Sequence, residues 1–297
     1  MAKLGLRADR SMSEGIRAFA RDILDEADKA LTRRDSADAV VVHDFRKAMK
    51  RWRAFLRLMP KIVGSDAEWL RHAARDLARE LAEARDAHAA LDALNDLARI
   101  EGSISPRTLA TLRERLGKMR SEAESVALTT EMRSKMRAHV EESSRAVTKW
   151  QLDEAAFSDI ADGLTASYRS ARKLIPDDWK TIEDEPLHEL RSRVVVQRYQ
   201  MPLIQPLWPR YSKLWAKETQ RLREVLGAHQ DITVLAKLTA PGEPLSRWRA
   251  VLAPVITARK AAHVETSAKM AERLFVETPK AFRARLLGLW KSSRPEH

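Results

Sequence analysis

Apolar residues recur three and four positions apart almost throughout this 297-residue chain, a spacing that admits amphipathic helices and little else. The segment from 42 to 59 carries the pattern most clearly. At 100° per residue, Val42, Phe45, Met49, Trp52, Leu56 and Met59 fall along one helical face, while His43, Arg46, Lys50, Arg53 and Arg57 fall along another. The first face builds a core. The second holds cations in a row that runs for roughly 20 Å at about 1.5 Å of rise per residue, which suits an extended anion. With only nine glycines, few alternating β-branched runs and many Ala, Leu, Arg and Glu residues, the chain is predicted to be all-α.

Caps and breakers place the elements. Ser11 or Ser13 opens a first helix, Ser36 or Asp38 a second that stops at Pro60, and Ser65 or Asp66 a long third that runs towards Arg99. Ser105 caps a helix with Pro106 in its first turn, and Thr129-Thr130 marks a break or a new start. The chain restarts near Asp153 with a helix to about Leu174, ended by Ile175 to Asp178. The next begins near Glu185-Pro186 and is ended or bent by Pro202, Pro206 and Pro209. Another spans about Arg210 to Leu238, Pro241 to Pro244 make a turn, and long helices reach about Phe275 and Trp290. Two halves of about four helices each result. An offset of 145 residues carries His43 onto His188, Arg46 onto Arg191, Arg53 onto Arg198, Leu58 onto Leu203, Leu77 onto Leu222, Leu81 onto Leu226 and Asp86 onto Asp231. One spacing shared by residues at matched helical phase points to an internal duplication.

The chain is long and apolar enough (44%) to bury a sizeable core. Its 54 Lys and Arg against 42 Asp and Glu leave a net charge of +12, which favours acidic partners such as nucleic acid, anionic membrane or polyphosphate. Cysteine is absent, so disulfides, thiolate zinc sites and cysteine nucleophiles are excluded. The eight histidines include no H-E-x-x-H, and there is no Gly-rich phosphate loop, G-x-S-x-G elbow or H-x-E with C-x-x-C. No metal, cofactor or catalysis is therefore expected. The first residues lack an apolar core of signal-peptide length and no run of about 18 apolar residues occurs, so neither export nor membrane insertion is expected, and a reducing cytoplasm fits.

A basic stripe beside an apolar one is often only a solvated face. Here the five residues of the second helix include no acid, where a solvated face would mix signs. Lys47 and Arg51 point further round, and for them a ligand role and an ordinary surface role stand open together. The following helix repeats the arrangement, with Arg71, Arg75 and Arg79 in one row and Leu70, Leu77 and Leu81 on the buried side. Antiparallel packing across Lys61 to Gly64 sets both rows beside one groove. Asp86 shares the angular position of the arginine stripe and reads as a group that orients guanidinium side chains. His43 and His188 offer a hydrogen bond to phosphate when neutral and a charge when protonated. His72, His88, His139, His229, His263 and His297 read as structural or surface residues. The tryptophans, Trp52, Trp69 and Trp215 among them, read mostly as packing; no aromatic interleaves with the basic row as a stacking platform for single-stranded nucleic acid requires.

The run His43-x-x-Arg46-x-x-x-Lys50-Arg51-x-Arg53, the run Leu187-His188-Glu189-Leu190-Arg191-x-Arg193 with Arg198-Tyr199, and the segments Ala84-Arg85-Asp86 and Leu226-Gly227-Ala228-His229-Gln230-Asp231 resemble the CHAD domain, the conserved-histidine α-helical domain. The resemblance extends from about Met12 to Trp290. It implies one domain over 11–292, built of two pseudo-symmetric four-helix bundles (11–150 and 151–292) about a pseudo-twofold axis, with flexible tails at 1–10 and 293–297. A basic groove or pore between the bundles would grip inorganic polyphosphate through His43, Arg46, Lys47, Lys50, Arg51, Arg53, Arg57, Arg71, Arg75, Arg79, His188, Arg191, Arg193 and Arg198, with Asp86 and Asp231 as orienting groups. Some members of the family adjoin a triphosphate-processing CYTH domain or occupy polyphosphate granules; the E-x-E-x-K motif of CYTH is absent here, so a stand-alone binding module is implied. The second half departs from the pattern. Val195 and Val196 stand where Lys or Arg is usual, and Ala216, Gln220 and Glu224 lie opposite Arg71, Arg75 and Arg79, so the first bundle is expected to dominate. Nucleic acid is the competing polyanion, and an enzyme acting on polyphosphate or nucleotides ranks last.

Overall fold

The computed structural model describes residues 5–33, 36–81, 85–124 and 128–293, and among them regular structure is helical with no strand. Helix α1 (Met12–Thr32) opens on Ser11, whose hydroxyl accepts a hydrogen bond from the Glu14 N–H at 3.1 Å and so satisfies a donor left over by the first turn. α2 (Asp38–Leu56) ends before Pro60, which begins the single turn α3 (Pro60–Val63). Gly64, with φ of 61°, supplies the left-handed residue that leads into α4 (Ser65–Glu80).

The long third helix expected from the sequence is in fact two, because α4 stops at Glu80 and α5 (Arg85–Leu97) follows. Arg46 marks the stop, donating Nη1 to the Leu81 carbonyl at 3.1 Å, a favourable place for a cation at a helix C-terminus. α6 (Pro106–Glu124) and α7 (Thr130–Lys149) start on Ser105 and Thr129, whose hydroxyls accept from the Thr108 and Met132 N–H groups. The chain continues through α8 (Phe157–Arg172), α9 (Asp184–Gln200), the unbroken 30-residue α10 (Pro209–Leu238), α11 (Arg249–Leu274) and α12 (Pro279–Ser292). The starts of α1 and α8, α2 and α9, and α4 and α10 lie 145, 146 and 144 residues apart.

Helices α1, α2, α4 and α7 close a ring in which each packs on two neighbours. Trp52 stacks on Trp150 inside it at 6.1 Å between centroids, beside Phe19 and Phe55. Beyond this ring α8 packs on α9 and α12, and α9 on α10, around Tyr168 stacked on Phe282 at 4.2 Å. α2 and α9 also pack on each other, where buried Gln200 donates to the Ala54 carbonyl at 2.9 Å. The two histidine-led helices therefore meet at the centre. α5 and α6 leave the ring and build a separate core with α10 and α11 around Leu94, Leu97, Leu112, Leu235 and Leu252. Asp96 of α5 ties this arm to α11, accepting hydrogen bonds from Arg259 at 2.7 and 2.8 Å and from His263 Nε2 at 2.9 Å.

Two further expectations are corrected. Residues 5–10, assigned to a flexible tail, are held in place: Leu6 is buried and its N–H donates to the Leu203 carbonyl at 2.7 Å. Residues 1–4, residues 294–297 and Ala84 of the short motif lie outside the described residues. Trp69 is not packing, being 53% exposed, and Leu214, 145 residues further on, is exposed as well. Among the described residues no helix is long and apolar enough to cross a membrane.

The buried ionisable groups set the response to pH. Burial alone would raise the Asp96 pKa, but the hydrogen bonds from Arg259 and His263 outweigh it and hold the carboxyl below its ordinary value. Asp96→Asn is expected to lower stability by about 2 kcal/mol at neutral pH, a discounted figure for a partly buried pair. Because the native pKa is depressed, this contribution is full above the ordinary carboxylate range and is lost as pH falls through the native value, so denaturation curves of mutant and parent converge in acid. His139 of α7 is buried with Nε2 unpartnered, and burial pushes its pKa down from 6.5 to about 4. Between those values the unfolded chain binds a proton that the folded one refuses, so stability declines with falling pH. His139→Leu is expected to flatten that limb in urea denaturation across the same range; an unchanged slope counts against the assignment.

Candidate functional site

Helices α2 and α4 run antiparallel, so their basic rows lie side by side. Arg46 reaches Leu81 at the end of α4, Arg53 lies within the fields of Arg71, Arg75 and Arg79, and Arg57 lies within those of Arg71, Arg53 and Arg193 of α9. Burial first, and then these three guanidinium groups, push the Arg57 pKa down to about 10. Arg53 shifts in the same direction through burial, then through Arg71, Arg75 and Arg79, with Asp76 opposing. Both remain charged at neutral pH. Like charges from three helices are thus held together, a repulsion that a bound anion relieves.

Arg57, Arg71 and Arg193 line a cleft of about 200 Å³, completed by Pro60, Glu68, Ala166, Ser167, Ser170 and Val196. Its walls come from α3, α4, α8, α9 and the end of α2, so residues distant in sequence share one concavity. Gln200 supports the wall from beneath, donating Nε2 to Ser167 Oγ at 3.0 Å. Glu68, Ser167 and Ser170 were not singled out from the sequence. Ser167 and Ser170 share a face of α8 at i, i+3, but periodicity does not say which helix stands opposite.

The other candidates are distributed around this centre. His43, Lys47 and Lys50 are exposed on α2. Arg75 donates to Asp76 at 2.9 Å and Arg79 lies 3.8 Å from the same carboxylate, which partly neutralises the row on α4. Arg71 Nη2 is 3.0 Å from His72 Nε2, and Arg193 donates to Glu189 at 2.7 Å. Arg51 is directed instead at α1, where it pairs with Asp22 at 3.1 Å and with Glu26, and its side chain is only 15% exposed. On α9, His188 is half-buried with Nδ1 shielded and without a hydrogen bond. Arg191 lies across Gly227 of α10, where a Cβ would sit 3.3 Å from its Nε, so glycine gives the guanidinium its seat. Arg198 covers the Tyr199 ring at 4.9 Å. Asp86 is exposed in the first turn of α5, and Asp231 is half-buried on α10. His229 is structural: burial and then Lys260 push its pKa down to about 4, while Asp184, 3.6 Å away, opposes.

This helical architecture has counterparts. The CHAD domain model matches residues 14–240, so the chain belongs to the CHAD domain family. The CHAD domain from the plant Ricinus communis shares the fold with a TM-score of 0.59 and 20% identity, over 96% of this chain and 94% of that one. PptA from Streptomyces chartreusis does so with a TM-score of 0.63 and 19% identity, over 89% of this chain and 99% of that one. At these identities the likeness is one of fold. No curated protein matches the sequence.

The two classes of arginine should separate in a stability measurement. Arg51→Gln removes a partly buried ion-paired cation and is expected to cost about 1 kcal/mol. Arg57→Gln relieves repulsion and is expected to leave the thermal midpoint unchanged or raised. Equal losses in the two variants would mean that Arg57 is a structural partner.

Proposed function

We propose that this chain binds inorganic polyphosphate without turning it over, along the basic strip between α2 and α4. The observation that carries the reading is the mutual proximity of Arg53, Arg57, Arg71 and Arg193, cations from three helices gathered where their fields oppose one another. In this reading 11–150 and 151–292 are two halves of one domain about a pseudo-twofold axis, with α2 and α9 at its centre. His43, Arg46, Lys47 and Lys50 extend the strip at one end, and Arg75 and Arg79 flank it. His188, Arg191 and Arg193 contribute from the second half, with Asp86 and Asp231 orienting their basic neighbours. Arg51 drops out of the ligand set, since two carboxylates of α1 already answer its charge, while Arg198 stays a candidate of the second half. The residues 145 beyond Arg57 and Arg71 are Pro202 and Ala216, which favours the first half as the main grip.

Affinity then comes from multiplicity. An exposed ion pair is worth about 0 to 1 kcal/mol, so around ten contacts supply roughly 5 to 10 kcal/mol, nearer micromolar than picomolar for short chains. Longer chains bind more tightly by releasing more counterions, and the affinity falls steeply with salt. Such binding would bring the protein to polyphosphate granules. Duplex DNA carries similar charge in a far bulkier form, and a strip between two helices fits a bare phosphate chain better.

Titration with polyphosphate through a salt series tests the reading. Replacing His43, Arg46 and Lys50 together by Ala is expected to weaken binding more than replacing His188 and Arg191, by up to about fivefold, since it removes one more cationic contact worth about 0 to 1 kcal/mol. Absence of saturable binding at moderate salt ends the proposal. Competition by duplex DNA at equal phosphate concentration would indicate a general polyanion binder, and phosphate release with Mg²⁺ an enzyme.

A further inference from the structure

Resting on that reading, we infer that the cleft at the end of the strip, bounded by Arg57, Arg71, Arg193, Glu68, Ser167 and Ser170, receives the terminal phosphate of a polyphosphate chain, so that the protein grips chain ends as well as chain interiors. The cleft differs in kind from the open row leading to it. The row on α2 offers cations spaced along a helix, whereas the cleft draws its lining from several helices and adds hydroxyl groups. Its space of about 200 Å³ is open to solvent on one side. One tetrahedral phosphate with part of its hydration fits such a space.

Charge makes the same distinction. Three guanidiniums against Glu68 on the wall and Glu189 on Arg193 leave one net positive charge at the cleft, and a terminal phosphate offers these donors three non-bridging oxygens where an internal unit offers two. A terminal phosphate carries about −1.5 to −2 near neutral pH, as a phosphomonoester does, whereas each internal unit carries about one charge. Glu68 repels either kind of unit, and only an end group that keeps its proton has a hydroxyl to donate to it, since an internal unit has none. Ser167 is prepared as a donor: its oxygen already accepts from buried Gln200 at 3.0 Å, which leaves its own O–H for the cleft. Arg193 is held at the mouth by Glu189 at 2.7 Å through one of its nitrogens, with other donors remaining.

The other half of the molecule does not repeat the cleft. The offset of 145 residues carries Ser167 and Ser170 back to Asp22 and Asp25, and Arg57 and Arg71 forward to Pro202 and Ala216. Asp22 is itself paired with Arg51. Acids in place of hydroxyls and neutral residues in place of guanidiniums exclude an anion there, so each molecule holds one chain end.

End and internal phosphates give separate ³¹P resonances, which makes the assignment testable with long-chain polyphosphate and the full-length protein. Sub-stoichiometric protein is expected to broaden the end resonance before the internal one. Tripolyphosphate is expected to compete for the site, and Arg193→Gln to weaken that competition about tenfold, as loss of one charge-assisted hydrogen bond does. Long-chain binding in the same variant also falls, by a smaller factor than the tripolyphosphate competition, because Arg193 belongs to the strip as well as to the cleft and the strip retains its other contacts. Ser170→Ala, a milder change at the same wall, shifts both readouts in the same sense, and circular dichroism checks that each variant folds. The inference is overturned if internal resonances broaden as early as end resonances in the parent protein, or if tripolyphosphate fails to compete while the long chain binds. Orthophosphate competing as well as tripolyphosphate would make the cleft a site for the free ion and overturn the chain-end assignment. No broadening of either resonance removes the polyphosphate reading itself and this inference with it.

Discussion

Helix α2 packs on three neighbours at once, α1, α4 and α9, and that placement governs the rest of the molecule. One helix surface shared among three partners leaves a single strip uncovered, and on this strip lie the cations. Burying Trp52 and Phe55 in the ring contributes roughly 1.5 to 3 kcal/mol for each large side chain. A pair of like charges about 4 Å apart near a surface opposes with about 1 to 4 kcal/mol, depending on the local dielectric. The core therefore prevails, and the arginines are carried into one another's fields because packing leaves them nowhere else.

Repulsion held in the folded state is a reservoir that an anion can draw on. Arg53 and Arg57 are half-buried on a helix and at its end, so their positions are set before any ligand arrives and little ordering remains for binding to impose. A flexible basic tail of equal charge would have to surrender that freedom on binding. The same logic separates the arginines whose charge is already answered. Arg51 between Asp22 and Glu26, and Arg259 on Asp96, fasten helices to one another and present no unanswered field.

Much of this was legible in the residues, and what was not has physical causes. Ser11, Ser105 and Thr129 announce their helices because a cap is a local interaction between a hydroxyl and a backbone N–H three residues on. The rows on α2 and α4 were legible because angular position on a helix follows from spacing alone. The break after Glu80 was not. The segment from 80 to 86 contains neither Gly nor Pro, whereas α10 carries Gly227 and runs on unbroken. The break is marked by a tertiary contact, Arg46 on the Leu81 carbonyl, which propensity does not register, whereas the unbroken α10 agrees with the span from about Arg210 to Leu238 expected from its periodicity. Direction along a helix likewise does not disclose its neighbour, so the pairing of Arg51 with α1 and the exposure of Trp69 lay beyond periodicity.

Arg46 on α2 and Arg191 on α9 are seated differently. They occupy corresponding positions and each turns towards the helix that follows, yet one serves the end of α4 while the other rests on the middle of α10. Where α4 gives way to α5, the arm of α5 and α6 crosses to α10 and α11, and Asp96 anchors it to Arg259 and His263. A continuous α10 provides the long rigid face on which that arm lies. The second half is thereby committed to support: it carries neutral residues where the first carries Arg57 and Arg71, and its buried His229 belongs to an ion-paired cluster with Asp184 and Lys260. The guanidiniums of Arg53, Arg57 and Arg71 all come from the part of the chain before residue 150, and α9 and α10 pack beside them. The cleft draws Arg57 and Arg71 from that part and Arg193, Ser167 and Ser170 from the part after it, so it exists only where the two meet.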